Sequence, residues 1–162
     1  MTHGFDDQGS QFDKDGNLNN WWTDADSEAF KARTVVMANF FDSIEVAPGV
    51  FANGKFTLGE NIADHGGLQI AFEAFKDATA NAPLPVKDGF TAEQRFFLAY
   101  ANVWAGNIRE EEILRRTKVD PHSLGRWRVN AALPHIQAWY DAFDVQPSDS
   151  LFVSPDKRVE IW

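Results

Sequence analysis

Three short segments carry residue types that metal binding and acid–base chemistry use: residues 2–7, residues 59–67 and residues 120–128. Glu60 and Asp64 in the second segment are four positions apart, so a helix places both carboxylates on one face. One carboxylate of such a pair can bind a metal while the other orients a nearby imidazole. The third segment, which we expect to form a loop, offers His122 and Arg128 to an anion or a polarised carbonyl. Each feature alone is more typical of ordinary solvated or hydrogen-bonded residues, whereas their joint occurrence favours a functional site.

The spacing of apolar residues predicts the helices that would carry these segments. Thr23 and Thr57 have the residue type and position of N-caps. Thr91 followed three residues later by Gln94 forms a capping-box pattern. The predicted elements are helices over residues 24–44, 58–78, 91–107 and 110–116, a last helix from Pro134, a loop or small hairpin over 45–56 and an extended tail from Val145. The predicted fold class is therefore mainly α, a bundle-like array of helices with minor loops or short strands.

Composition limits the class of protein. A chain of 162 residues with 44% hydrophobic residues fits one domain with a sizeable core. The 24 acidic residues outnumber the 15 basic ones, and a net charge of −9 disfavours binding to nucleic acid or anionic lipid. The absence of cysteine excludes a disulfide framework, a thiolate zinc site and a cysteine nucleophile. No apolar run is long enough for a membrane segment, and the first residues lack the pattern of an export signal.

Longer strings around these segments occur in an order and at a spacing that are not required by helix formation. The strings are THGFDDQG from Thr2, FDKDGNL from Phe12, WW at 21–22, GENIAD from Gly59, GGL from Gly66, FF at 96–97 and DPHSLGRWR from Asp120 to Arg128. Together they resemble the neprilysin and endothelin-converting-enzyme family of zinc metallopeptidases. The resemblance covers nearly the whole chain and includes the terminal Trp162. It implies that residues 1–162 form a single partial domain, the C-terminal part of a helical gluzincin catalytic domain.

The resemblance also implies a role for each candidate site residue. His3 aligns with the second histidine of the family's H-E-x-x-H motif and would bind zinc, with Glu60 as a further protein ligand. Asp64 would orient a ligand imidazole. His122 and Arg128 would face the scissile carbonyl and donate hydrogen bonds as it becomes an oxyanion. The implied reaction is peptide hydrolysis by a zinc-activated water, without a covalent intermediate.

In this alignment, the first zinc histidine and the general-base glutamate would precede Met1. We therefore expect a chain that binds zinc weakly, if at all, and hydrolyses peptides poorly by itself. Its expected partners are peptide substrates and the missing N-terminal portion of the enzyme, and exposed apolar surface would favour self-association. The resemblance implies a full-length parent that works outside the cytosol. The alternative is a non-catalytic, truncated or vestigial chain that binds peptides near His122 and Arg128 without cleaving them.

His65 departs from the family pattern, which has asparagine at this position. It follows Glu60 by five residues, so a helix directs the two side chains about 140° apart. This separation argues against His65 as a replacement ligand. We expect a surface or substrate-side role for it.

A calcium loop is a competing interpretation of the N-terminal region. Asp13, Asp15 and Asn17 have the spacing of loop positions 1, 3 and 5, and Asp24 falls at position 12. Leu18 occupies position 6, where the loop needs glycine, and the closing residue is not glutamate. An Asx-rich turn is therefore the favoured interpretation.

Overall fold

A computed structural model describes residues 2–161, so the sequence prediction at Trp162 and the alignment of Met1 lie outside the described residues. The described part is mostly helical, which confirms the predicted fold class. Its elements are α1 Asp24–Asp42, β1 Glu45–Ala47, β2 Val50–Phe51, α2 Leu58–Thr79, α3 Ala92–Val103, α4 Glu110–Val119, α5 Gly125–Asn130 and α6 Gln137–Phe143. Within residues 2–161, none of the helices has the length and apolar character needed to cross a membrane.

These elements belong to two compact units. The first contains α1, the β1–β2 hairpin, the beginning of α2 and α4, and it includes residues up to Gly67 and Asn107–Leu124. The second contains Leu68–Gly106 and Gly125–Arg158, with α3, α5 and α6. The single partial domain inferred from the resemblance stays a prediction.

The first unit is organised around α1. Thr23 caps this helix, because its hydroxyl accepts a hydrogen bond from the Asp26 backbone N–H while the Asp26 carboxylate accepts one from the Thr23 N–H. Four buried residues at helical spacing then form its inner face: Phe30, Thr34, Met37 and Phe41. After the antiparallel hairpin, the chain returns to α1 at Gly54, where a Cβ would clash with the Ala38 carbonyl oxygen. Glycine is therefore required at the point where the chain turns toward α2.

The second unit is organised around aromatic packing. Thr91 and Gln94 form the predicted capping box at the start of α3. Phe97 on this helix is 1% exposed and stacks on Phe72 of α2, with ring centroids 5.2 Å apart. The other buried members of the core are Leu68, Val129, Leu133, Ile136, Trp139 and Tyr140.

Two details of the helix prediction are wrong. Pro134 does not open α6; it lies in a 3₁₀ turn, Leu133–His135, and extended Ile136 separates that turn from the helix. The spacing of apolar residues continues through both elements, so it does not reveal the break. Arg128 was expected in a loop, but it lies in the short helix α5.

We expect the substitution Phe97→Ala to lower the free energy of unfolding by about 3–5 kcal/mol, because it removes a fully buried ring and leaves a cavity. Phe90→Ala is the matched control, since Phe90 is 41% exposed in the same unit. The control should change the free energy by about 0.5 kcal/mol or less. Urea unfolding followed by tryptophan fluorescence measures both, and equal losses would contradict the central role of Phe97.

Candidate metal and catalytic site

Three of the predicted site residues meet in the first unit. The Nε2 atom of His3 lies 3.5 Å from Oε2 of Glu60. The Nε2 atom of His122 lies 3.2 Å from the same oxygen. The Glu60 side chain is only 22% exposed, so the meeting point is partly shielded from water. Two imidazoles thus point their outer nitrogens at one carboxylate.

A second carboxylate orients each imidazole. Asp6 Oδ2 lies 2.7 Å from Nδ1 of His3, and Asp120 Oδ1 lies 2.7 Å from Nδ1 of His122. An ionised carboxylate only accepts hydrogen bonds, so each Nδ1 carries the proton. Nε2 is then the atom that faces Glu60. This carboxylate–imidazole arrangement is typical of metal-binding and catalytic histidines.

Asp6 is well placed to hold His3 rigidly. Its side chain is buried, and its other oxygen accepts hydrogen bonds from the backbone N–H groups of Gln8 at 2.9 Å and Gly9 at 2.7 Å. Gly59 of α2 lies against it, because a Cβ there would come within 3.2 Å of Asp6 Oδ2. The absence of a side chain at Gly59 therefore allows the segment with His3 to approach the helix with Glu60.

Asp120, which orients His122, also accepts a hydrogen bond from a cationic side chain. Burial tends to raise its pKa, but hydrogen bonds from the His122 backbone and ring and from the Arg116 guanidinium outweigh burial and lower the pKa of Asp120 to about 2. The carboxylate is therefore ionised at neutral pH, and it accepts hydrogen bonds from both the backbone and the ring of His122.

Sequence reasoning assigned no role to Asp6 or Asp120, although both lie in the segments that it selected. The available signals were short spacings: Asp6 follows His3 by three residues, and Asp120 precedes His122 by two. These spacings become informative only when the local backbone folds each carboxylate onto its own imidazole.

The other two predicted residues lie on different helices. Asp64 is one turn after Glu60 on α2 and is partly buried. Arg128 belongs to the second unit, where its guanidinium lies 3.8 Å from the centre of the Trp104 ring. The Arg128 backbone carbonyl accepts a hydrogen bond of 2.9 Å from the Tyr100 hydroxyl. Their orienting and oxyanion-binding roles stay predictions.

Of the two roles expected for His65, at the surface or on the substrate side, the surface role is wrong. Its side chain is 1% exposed, because the face of α2 on which it lies is turned inward. Burial disfavours the charged imidazole and lowers the pKa of His65 to about 4. His65 is therefore neutral at physiological pH.

The residues present fit part of a zinc site. Two ligands bound to a tetrahedral zinc ion at about 2.0–2.1 Å are separated by about 3.4 Å. The 3.5 Å between His3 Nε2 and Glu60 Oε2 matches this separation. Within residues 2–161, no group of three His, Cys, Asp or Glu side chains is arranged to hold a metal ion. The described residues thus offer two ligands of suitable type.

The region considered for calcium forms an Asx-rich turn. The Asp13 carboxylate accepts hydrogen bonds from the backbone N–H groups of Asp15 at 2.9 Å and Asn17 at 3.0 Å. The bond from the Asn17 backbone is the main cause that lowers the pKa of Asp13. The turn is closed by a bridge between Phe12 and Leu18.

Comparison with known proteins gives consistent matches over the chain. The model of peptidase family M13 matches residues 1–159. Neprilysin-11 of Caenorhabditis elegans is 40% identical over 100% of this chain, which covers 20% of that protein. Endothelin-converting enzyme 1 of Mus musculus is 39% identical over 100% of this chain, which covers 21% of it. The crystal structure of the zinc metalloprotease ZMP1 of Mycobacterium tuberculosis, in complex with an inhibitor, is 42% identical with a TM-score of 0.94, over 99% of this chain and 25% of that chain.

The matched relatives and solved structures include neprilysin-type peptidases and a zinc metalloprotease. The chain belongs to peptidase family M13, which confirms the family predicted from the resemblance. It spans only about a fifth to a quarter of the length of the relatives that it matches.

The buried His65 should make stability depend on pH. The unfolded chain binds a proton at this residue near pH 6.5, whereas the folded chain resists binding until about pH 4. Lowering the pH between these values therefore favours unfolding, by up to about 3 kcal/mol below pH 4. We expect His65→Asn, which places the family's residue here, to remove this contribution.

Urea unfolding of both chains between pH 7 and pH 4 measures the difference. Carboxylates common to the two chains contribute equally and cancel. Parallel stability curves for the wild type and His65→Asn would contradict the assigned pKa shift.

Proposed function

We propose that the chain is the C-terminal catalytic segment of a neprilysin-type zinc metalloendopeptidase. The observation that carries the proposal is the approach of His3 and His122 to one oxygen of Glu60, each ring being oriented by its own aspartate. Membership of peptidase family M13 supports zinc as the metal. His3 and Glu60 would then bind zinc.

When bound, zinc acts as a Lewis acid and makes water a nucleophile at neutral pH. His122 donates a hydrogen bond from Nε2 to the peptide carbonyl oxygen as negative charge develops there. Asp120 accepts a hydrogen bond from Nδ1 of this ring and so fixes its direction. Arg128 adds a fixed positive charge to the oxyanion, and Asp64 orients a ligand imidazole.

The complete activity is assigned to a longer protein. These 162 residues contain no H-E-x-x-H sequence, so the first zinc histidine and the glutamate base would be supplied by other residues of that protein. Its partners are peptide substrates and, for this segment, the remainder of the enzyme. The family resemblance supports a location outside the cytosol for the whole protein.

A second candidate is a non-catalytic chain that binds peptides beside His122 and Arg128. The absence of a third metal ligand among residues 2–161 favours it. The two candidates predict different fates for a bound peptide: it is cleaved in the first case, whereas it stays intact in the second.

We expect the isolated chain to bind zinc weakly, with chemical-shift changes at His3 and Glu60 in an NMR titration. Glu60→Gln should weaken this binding about tenfold or more, because it replaces an anionic ligand by a neutral amide. Glu73→Gln is the matched control, since Glu73 is an exposed residue of the same helix. The control should leave the affinity within about twofold.

A peptide-cleavage assay with and without a zinc chelator completes the test. We expect no chelator-sensitive cleavage by the isolated chain and clear cleavage by the longer protein. Tight stoichiometric zinc with activity in the isolated chain would overturn the assignment of missing groups. A titration without response at His3 and Glu60 would overturn the metal site, and a peptide that binds to the longer protein but stays intact would support the second candidate.

A further inference from the structure

A buried hydrogen-bond network connects the helix that carries Glu60 to the loop that carries His122. Ser123 Oγ donates to Asn61 Oδ1 at 2.8 Å, and Asn61 Nδ2 donates to Thr57 Oγ1 at 3.0 Å. The Thr57 hydroxyl donates in turn to the Asn53 carbonyl at 3.0 Å. Thr57, Asn61 and Ser123 are all less than 8% exposed. The two hydrogen bonds that link Thr57, Asn61 and Ser123 are therefore shielded from water.

The network lies directly beside the site. Asn61 is the residue after Glu60, and Ser123 is the residue after His122. The side-chain bond between Asn61 and Ser123 thus links the two chain segments directly beside Glu60 and His122, whose side chains meet at 3.2 Å. A shift of one backbone relative to the other would move His122 away from Glu60.

The bonds of Asp120 cannot supply this connection. Asp120 accepts from Arg116 and from His122, which belong to α4 and the loop that follows it. These bonds orient the ring on its own loop, whereas the Ser123 bond runs from the loop to α2. The His122 side chain is 43% exposed, so close packing does not hold it in place.

We propose that Asn61 and Ser123 are positioning residues, whose buried hydrogen bond sets the place of His122 relative to Glu60. This inference rests on the proposed peptidase function. Asn61 suits the role because one amide can accept from Ser123 and donate to Thr57 at the same time. The donation from Thr57 to the Asn53 carbonyl makes the Thr57 oxygen the acceptor, which fixes the orientation of the amide.

The test uses the reactivity of individual histidines toward diethyl pyrocarbonate, which modifies a free imidazole nitrogen. Mass spectrometry of proteolytic peptides gives a separate rate for each histidine of the 162-residue chain. In Ser123→Ala, we expect the His122 rate to rise about fivefold or more, the factor that a typical buried hydrogen bond contributes to an equilibrium. The His3 rate should stay within about twofold, because Asp6 orients that ring and the Thr2 hydroxyl donates to the Ala63 carbonyl of α2 at 3.2 Å, and neither bond involves Ser123.

Two further variants distinguish positioning from loss of stability. Ser43→Ala is the matched control, since the Ser43 hydroxyl makes a bond of 2.6 Å only to its own turn, at the Phe40 carbonyl. It should leave every rate unchanged. Ser123→Cys retains a weak donor of similar size and should give an intermediate His122 rate. A general loss of folding would instead raise the rate of buried His65 as well.

An unchanged His122 rate in Ser123→Ala, or an equal rise at His3, His65 and His122, would overturn the positioning role. Labelling requires neither zinc nor turnover, so this result is independent of whether the proposed peptidase function fails. In the longer peptidase, Ser123→Ala should lower kcat about tenfold or more, with KM within about twofold. Unchanged kcat would show that the position of His122 does not matter for the reaction.

Discussion

Two imidazole nitrogens and one carboxylate oxygen approach the same point, and the proposed chemistry depends on the three segments of the first unit that bring them there. Asp6 and Asp120 each bind the inner nitrogen of one ring, so the outer nitrogens of His3 and His122 face Glu60. A neutral outer nitrogen is a lone-pair acceptor and would be repelled by the carboxylate. The contact is favourable when a proton or a cation lies between them. The arrangement therefore has the electrostatic properties of a site for positive charge, which suits a metal ligand set and a group that stabilises an oxyanion.

Three consecutive residues at the start of α2 contact the segments that carry the two imidazoles. Gly59 has no side chain where Asp6 approaches, Glu60 supplies the shared carboxylate, and Asn61 bonds to Ser123. Glu60 carries the carboxylate that both imidazoles face. Gly59 leaves space for the segment with His3, and Asn61 bonds to the loop with His122. A helix is suited to this role because successive side chains point about 100° apart around its axis, so consecutive residues contact different parts of the fold.

Local sequence signals predicted the helices well, whereas contacts between distant segments were not accessible to them. The Thr91–Gln94 capping box depends on residues three apart, and it occurs as predicted. The burial of His65 depends on which face of α2 turns inward, and a helical angle measured from Glu60 does not contain that information. The Asn61–Ser123 bond joins residues 62 positions apart, so no local pattern indicates it. The resemblance named His3, Glu60 and His122 as site residues, and the structure brings the three side chains together. The aspartates that orient the two rings become apparent only in the folded backbone.

The two aspartates differ in a way that matches the roles proposed for their histidines. Asp6 is buried and is bound by two backbone N–H groups, so it cannot move without breaking several hydrogen bonds. Such rigidity suits a metal ligand, because metal affinity depends on a fixed ligand geometry. The Asp120 side chain is 24% exposed, and it accepts a hydrogen bond from the guanidinium of Arg116. This bond helps to keep Asp120 ionised without enclosing it. An ionised but accessible partner suits the role proposed for His122, since that ring would have to follow a carbonyl oxygen whose position changes during the reaction. The ring can adjust in this way only if its backbone is held, and the buried bond from Ser123 to Asn61 is placed to hold it.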